Sequence, residues 1–299
     1  MNVSFFFEVL LGGLLAGVMY SLVAIGFVLI YKASGVFNFA QGAMVFFAAL
    51  TFVSLLERGV PFALALVITL AVMVLLGIAI ERIVLRPLVN QPPITLFMAT
   101  IGLTFVLEGL SQLVWGSQPH GLEIGIKDEP IAWLLDNAGM SVSQFDLSAA
   151  GIAGVLVAVL ALFFQYTRIG RALRAVADDH QAALAVGIPL KNIWAIVWAV
   201  AGFVALVAGL MWGSRNGVQY ALTFTALKAL PVLILGGFES IAGAIVGGLI
   251  IGASEKLAEV YVGPFFGGGI ESWFAYVIAL LFLLVRPQGL FGEKIIDRV

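Results

Sequence analysis

Cysteine is absent from the 299 residues, and histidine occurs only twice. Without cysteine there are no disulfides, thiolate metal sites or thiol nucleophiles. His120 and His180 stand far apart in polar segments, so neither has a second imidazole with which to share a metal. Charge is scarce too: 11% of residues are charged, against about 25% in an ordinary soluble domain. Such a chain cannot cover a water-facing surface of its own size, which excludes a soluble enzyme and a disordered chain. With 15 Lys+Arg against 17 Asp+Glu, there is no basic surface for nucleic acid either. No GxxxxGKS/T, HExxH, GxSxG or EF-hand loop occurs, so the chain does not hydrolyse a nucleotide by the P-loop route.

What is present is apolar sequence, 62% of the chain. Residues 9–30 hold no charge, about the length that crosses a hydrocarbon core. Comparable stretches occupy 36–56, 61–80, 94–114, 148–166 and 193–213. Residues 222–236 form a short piece cut by Pro231, 239–260 a Gly-rich run ending in charges, and 270–286 a last span. These runs are continuous, without the alternation of barrel strands. The expected fold is all-α: one polytopic transmembrane domain over 1–299, a helical bundle of eight long spans plus one short or re-entrant helix.

Basic residues set the expected orientation. Glu8 is the only charge before the first span, and no basic residue precedes Lys32, whereas a cleavable leader begins with a basic segment. The N-terminus is therefore read as mature and outside. Lys32, Arg82, Arg86, Arg168, Arg171, Arg174 and Lys191 then fall in cytoplasmic loops, with Arg58 and Lys127 outside. The C-terminal RPQGLFGEKIIDRV adds Arg286, Lys294 and Arg298 inside, if 222–236 descends and 239–260 returns. The tally is 10 basic residues inside and 5 outside, as the positive-inside rule requires. Trp115, Trp212 and Trp273 sit at outer ends and Trp194 at an inner one, where interfacial aromatics belong.

Four segments depart from a plain membrane helix. In SGVFNFAQGAM (34–44), Asn38 and Gln41 lie where the second span enters the membrane. Amides are costly in lipid unless they face a cavity or a neighbouring helix, so they line a broken, substrate-facing helix or mark a span that starts late. In GGFESIAGAIVGG (236–248), Glu239 and Ser240 sit at a turn between Gly-rich pieces. Gly243 and Gly247, like Gly13/Gly17 and Gly248/Gly252, suit close helix packing. In the fourth span Thr100, Thr104, Glu108 and Ser111 share one helical sector, and an embedded carboxylate on a polar stripe faces a cavity or a partner rather than lipid. The stretch 167–192 reads as a surface helix carrying Arg171, Arg174, Asp178 and Asp179, ended by Gly187 and Pro189. It suits docking to a soluble partner, or serves as a solvated connector.

At these segments the sequence resembles the branched-chain amino acid type permeases of bacterial ABC importers, specifically the shorter of the two paired subunits. The likeness runs through Gly17, Tyr20, Ser21, Leu22, Ala24, Gly26 and Phe27, then Gly35, Asn38, Phe39, Ala40, Gln41 and Gly42. It continues with Arg86-Pro87-Leu88, Thr100-Ile101-Gly102, Gly170-Arg171, Arg174-Ala175, Gly187-Ile188, the Gly236–Gly243 loop and Arg286 to Gly292. The resemblance implies a non-enzymatic subunit of the bacterial inner membrane. Its implied partners are a second permease, two cytoplasmic ATPases that use ATP and magnesium, and a periplasmic binding protein; no cofactor is bound by the chain itself. It places Gly170, Arg171, Arg174, Asp178, Ala182 and Gly187 in the ATPase-coupling loop, about 167–192, and turns the outer segment of about 115–147 to the binding protein. The solute route implied runs between two permeases, past Asn38, Gln41, Thr100, Thr104, Glu108, Glu239 and Ser240. The cargo stays open among branched-chain amino acids, urea, short amides and aromatic acids. A stand-alone channel or secondary carrier is the rival reading, against which stands the lack of an intramembrane charge relay.

Overall fold

The computed structural model describes residues 3–88, 91–178 and 180–292. Asp179, and Lys294 and Arg298 of the inner-charge tally, lie outside the described residues. In chain order the α-helices are α1 Val3–Ser34, α2 Gln41–Glu57, α3 Phe62–Ala79, α4 Pro93–Trp115, α5 Ala132–Ala138, α6 Gln144–Tyr166 and α7 Arg168–Asp178. They continue as α8 His180–Ala185, α9 Leu190–Asn216, α10 Leu222–Thr225, α11 Ala229–Gly236, α12 Ile241–Tyr261, α13 Gly263–Phe266 and α14 Glu271–Val285. Among the described residues there is no strand, only isolated bridges pairing His120 with Val218 and Pro130 with Ser143.

Among the described residues, each apolar run that was expected to span is mostly helix. Among the described residues, six helices are long and apolar enough to cross a membrane: Val3–Ser34, Phe62–Leu88, Pro93–Trp115, Gln144–Tyr166, Leu190–Asn216 and Ile241–Tyr261. Gln41–Glu57, Leu222–Gly236 and Glu271–Val285 are apolar but shorter. Proline at the start and glycine past the end punctuate two of them, Pro92-Pro93 and Gly116 around α4 and Pro189 and Gly217 around α9. The expected span 36–56 begins later, at Gln41. Gly35 takes a φ of 70° and ends α1, and the Asn38 carboxamide oxygen accepts the Ala40 N–H at 3.1 Å, so residues 35–40 turn on their own side chain instead of winding into helix.

The chain divides into two compact units. One comprises Gly26–Ile124 and Leu160–Leu227. Its centre is α2, packed against α3, α4, α9 and α10 and buried on nearly all sides from Gln41 to Ser54. A helix enclosed by helices has no polar face to offer, which matches its largely apolar sequence. Helices α3 and α9 approach closely where Gly77 meets the Trp198 carbonyl and Gly202 the Met73 carbonyl. Beyond α3 the helix loosens into a π-turn at Ile80–Leu85, where buried Glu81 accepts two hydrogen bonds from Arg86, at 2.9 and 3.1 Å.

The other unit comprises Met1–Ile25, Gly125–Val159 and Lys228–Val299. Here α11, α12 and α14 pack together, and the first part of α1 lies on α12 through facing glycines. A Cβ built on Gly17 would stand 2.5 Å from the Gly248 carbonyl oxygen, and one on Gly13 2.6 Å from that of Gly252. This is the small-residue seam that the spacing anticipates. Gly243 and Gly247 serve packing too, against the Gly236 and Val232 carbonyls. The carbonyls of Leu235 and Gly236 at the end of α11 accept the N–H groups of Leu290 and Phe291, which pins the RPQGLFG segment. Glu255 of α12, 3% exposed, is held by Lys228 at 3.0 Å and by the Tyr20 hydroxyl at 3.4 Å.

Candidate functional site

The unit centred on α2 encloses a half-open cavity of about 290 Å³. Helix α4 supplies Ile101, Thr104, Phe105 and Glu108 to its wall, one stripe at helical spacing. Phe27 of α1, Phe39 and Gly42 stand on other sides, and the α9–α10 turn with its continuation adds Tyr220, Thr223, Phe224 and Leu227. The aromatic lining is built in series: Phe27 stacks on Phe37 at 4.6 Å, and Phe39 meets Phe37 and Phe97 edge-on at 4.6 and 4.9 Å. Edge-on and offset ring pairs hold each other's orientation, which stiffens the wall. Close approach matters here once: a side chain on Gly42 would run into the Thr223 carbonyl oxygen, so glycine lets α10 lie directly on α2.

Glu108 is the one carboxylate of this cavity. It is 7% exposed, and its Oε2 accepts the Tyr220 hydroxyl at 3.1 Å. Tyr220 stands in the turn outside the spans. The hydrogen bond to Glu108 first, and then that carboxylate's charge, hold its phenol above the ordinary value of 10.0. Tyr220 is therefore a neutral donor and remains one throughout the physiological range. Its ring is steadied edge-on by Phe224 at 5.6 Å and Phe46 at 6.4 Å.

The other pathway residues lie as follows. Asn38 and Gln41 are fully buried beside the turn, their amides joined at 3.2 Å, and Gln41 donates on to the Ala201 carbonyl at 3.4 Å. These amides spend their hydrogen bonds on protein and hold the 35–40 turn against α9. Thr100 donates to the Phe37 carbonyl at 3.2 Å and to that of Phe97 at 2.9 Å, tying α4 to the same turn, while Thr104 donates to the Thr100 carbonyl at 3.0 Å. Of these residues, Thr104 and Glu108 reach the cavity wall. Glu239 and Ser240 belong to the other unit, where Ser240 caps α12 by accepting the Gly243 N–H at 2.9 Å and Glu239 is exposed. Sequence reasoning missed Tyr220, Thr223 and Phe224, since a turn between two spans carries no periodic signal.

The expected coupling segment is a corner followed by a helical knob. Arg174 donates to the Phe164 and Gln165 carbonyls at 2.7 and 3.2 Å, and Arg171 to that of Tyr166 at 3.2 Å. Both arginines thus cap the last carbonyls of α6, where cations also meet the negative end of the helix dipole. Gly170 lies buried against the Phe164 carbonyl, too close for any side chain. Asp178, Ala182 and Gly187 are exposed, as are the apolar Leu184 and Val186. Gly187, at φ 84°, donates to the Leu184 carbonyl, and Ile188 donates to that of Ala183, the Schellman pattern that ends α8.

Over residues 9–286 the sequence matches the family described as branched-chain amino acid transport system, permease component. The chain belongs to this family. Among its relatives is the high-affinity branched-chain amino acid transport system permease protein LivH of Salmonella typhimurium, 27% identical over 99% of this chain and 98% of LivH. BraD of Pseudomonas aeruginosa, of the same description, is 28% identical over 98% of each chain. The fructose import permease protein FruG of Bifidobacterium longum is also related, at 23% identity over 84% of this chain and 74% of FruG.

Proposed function

We propose that the chain is the membrane-spanning permease subunit of an ABC importer in a bacterial inner membrane, a single permease domain that moves solute by ATP-driven alternating access. In this reading it crosses with eight spans plus one short or re-entrant helix, N-terminus outside and C-terminus in the cytoplasm. The half-open cavity carries the reading. It combines an apolar wall with one carboxylate, and Phe105 and Phe224 at its wall are 67% and 53% exposed. Large exposed aromatics beside a cavity suit a surface that a partner covers. A second permease closes the route there, and a periplasmic binding protein delivers the solute to the outer segment. Two ATPases, with ATP and magnesium, engage Asp178, Ala182, Leu184 and Gly187. The exposed apolar Leu184 and Val186 support this docking face. Branched-chain amino acids are the favoured cargo, as for LivH and BraD; urea, short amides and aromatic acids remain the alternatives within the class.

Reconstitution tests the proposal. Liposomes holding the chain with its partner permease, ATPases and binding protein should take up leucine only when ATP is supplied on the ATPase side. Uptake by the chain alone, or uptake indifferent to ATP, would replace the importer with a channel or secondary carrier.

A further inference from the structure

Three carboxylates are buried among the described residues: Glu81, Glu108 and Glu255. Two carry a basic partner, Glu81 with Arg86 at 2.9 Å and Glu255 with Lys228 at 3.0 Å. Glu108 does not. Its partner among the described residues is the neutral Tyr220 hydroxyl, which occupies one of its two oxygens. A buried charge is tolerated when it is paired, and a phenol supplies a hydrogen bond without the compensating charge. Glu108 faces a cavity, as part of its wall.

The rest of that wall restricts what can bring the cation. Phe27, Phe39, Phe105, Phe224, Ile101 and Leu227 offer no polar group. The Thr223 hydroxyl, on the same wall, is buried and lacks a hydrogen-bond partner among the described residues. At about 290 Å³, the space lies at the small end of ligand pockets, which run from about 300 to 1,000 Å³. A metal ion would want several oxygen ligands, and Glu108 is the one carboxylate here. An organic ammonium on a short apolar body fits both the lone charge and the hydrocarbon lining.

We infer that Glu108, oriented by Tyr220, receives the ammonium group of a small solute with an apolar side chain, so the permease itself favours amine-bearing cargo over neutral amides and over acids that lack an amine. This rests on the importer reading only for where the cavity leads. Tyr220 acts as a positioning residue: its hydroxyl holds one carboxylate oxygen and leaves the other turned to the solute. The residue also makes the permease a second selectivity filter after whatever protein delivers the solute. Anionic aromatic acids are repelled by the same charge that attracts the amine.

Two probes that differ only in the amine test this: leucinamide and 4-methylpentanamide. Binding to the chain in lipid nanodiscs, purified with whatever subunits accompany it, is measured by calorimetry at a pH of about 6.5, where an α-amino group is protonated. The intact protein should bind leucinamide at least about tenfold more tightly than 4-methylpentanamide, the scale of one charge-assisted hydrogen bond. Glu108→Gln should erase that preference, so that the two probes bind alike. Glu108→Asp should restore part of it, and Tyr220→Phe should weaken leucinamide binding by roughly threefold. If Glu108→Gln does not fold, Tyr220→Phe on the exposed turn and Glu108→Asp decide the matter. Equal binding of the two probes, or a preference that survives Glu108→Gln, overturns the inference. Subunit composition is read from the same sample. A chain that purifies alone yet discriminates the probes would keep the ammonium site and refute the importer, whereas an assembled importer without discrimination would refute the site alone.

Discussion

Removing Lys228 should destabilise the protein far more than removing the whole Lys228–Glu255 pair. The Glu255 side chain is 4% exposed and that of Lys228 31%, with 3.0 Å between Nζ and Oε1. At an effective dielectric of about 20, unit charges at that range attract by roughly 5.5 kcal/mol. Both charges also lost hydration on burial, so the pair is close to balanced against an apolar replacement, while stranding one member costs about 3–5 kcal/mol. The Tyr20 hydroxyl, 3.4 Å from the same oxygen, softens that loss, and the unpaired carboxylate can take up a proton. Lys228→Met should therefore cost about 2–4 kcal/mol. Glu255→Gln should cost about 1–2 kcal/mol, because the long lysine stem lets its ammonium turn to the exposed side. The double variant should lie within about 1 kcal/mol of the parent, a coupling of at least about 2 kcal/mol. Reversible unfolding in mixed micelles, followed by circular dichroism, measures the cycle. Costs that simply add, within about 0.5 kcal/mol, would show that the two charges do not compensate each other and would refute the argument.

Other outcomes follow from the same physics. Gly17→Ala, whose Cβ would sit 2.5 Å from the Gly248 carbonyl, should lose about 1–3 kcal/mol in the same unfolding assay, whereas Gly12→Ala, with nothing within 4 Å, should not. Ultraviolet titration against a Tyr220→Phe reference should place the Tyr220 ionisation above 10.0. Because the folded pKa is raised, the stability it lends is complete at lower pH and fades as pH rises through that value, and Glu108→Gln should return it toward the ordinary range. On the coupling loop, Gly187→Ala should uncouple ATP hydrolysis from solute uptake while the spans remain folded, since an alanine at φ 84° is strained and shifts the end of α8. Arg174→Ala should uncouple as well, and should loosen the α6 corner as measured by hydrogen exchange, because its guanidinium caps two carbonyls there. Coupling unchanged in both variants would remove the loop from the ATPase interface.

What the sequence disclosed is what its periodicities encode. Unbroken apolar runs marked each spanning helix, and the spacing of Thr100, Thr104 and Glu108 brought one polar stripe into view, two members of which reach the cavity. Gly187 before Pro189 announced the end of α8 correctly. The rest was hidden by distance along the chain. Tyr220 meets Glu108 across 112 positions, and Lys228 meets Glu255 across 27; neither spacing is a helical repeat. Glu255 read as a charge at the end of a span, and only the folded chain shows it paired and buried. The amides of Asn38 and Gln41 drew attention for a sound reason, their cost in lipid. They meet that cost by bonding to each other and to the Ala201 carbonyl, which periodicity along one helix cannot reveal.

The most direct test of the importer assignment is to solubilise the tagged chain from its native membrane in mild detergent and identify what purifies with it. The account predicts a second permease and P-loop ATPases arriving together, in a complex that hydrolyses ATP. A chain recovered alone, and moving solute unaided once placed in liposomes, would contradict it.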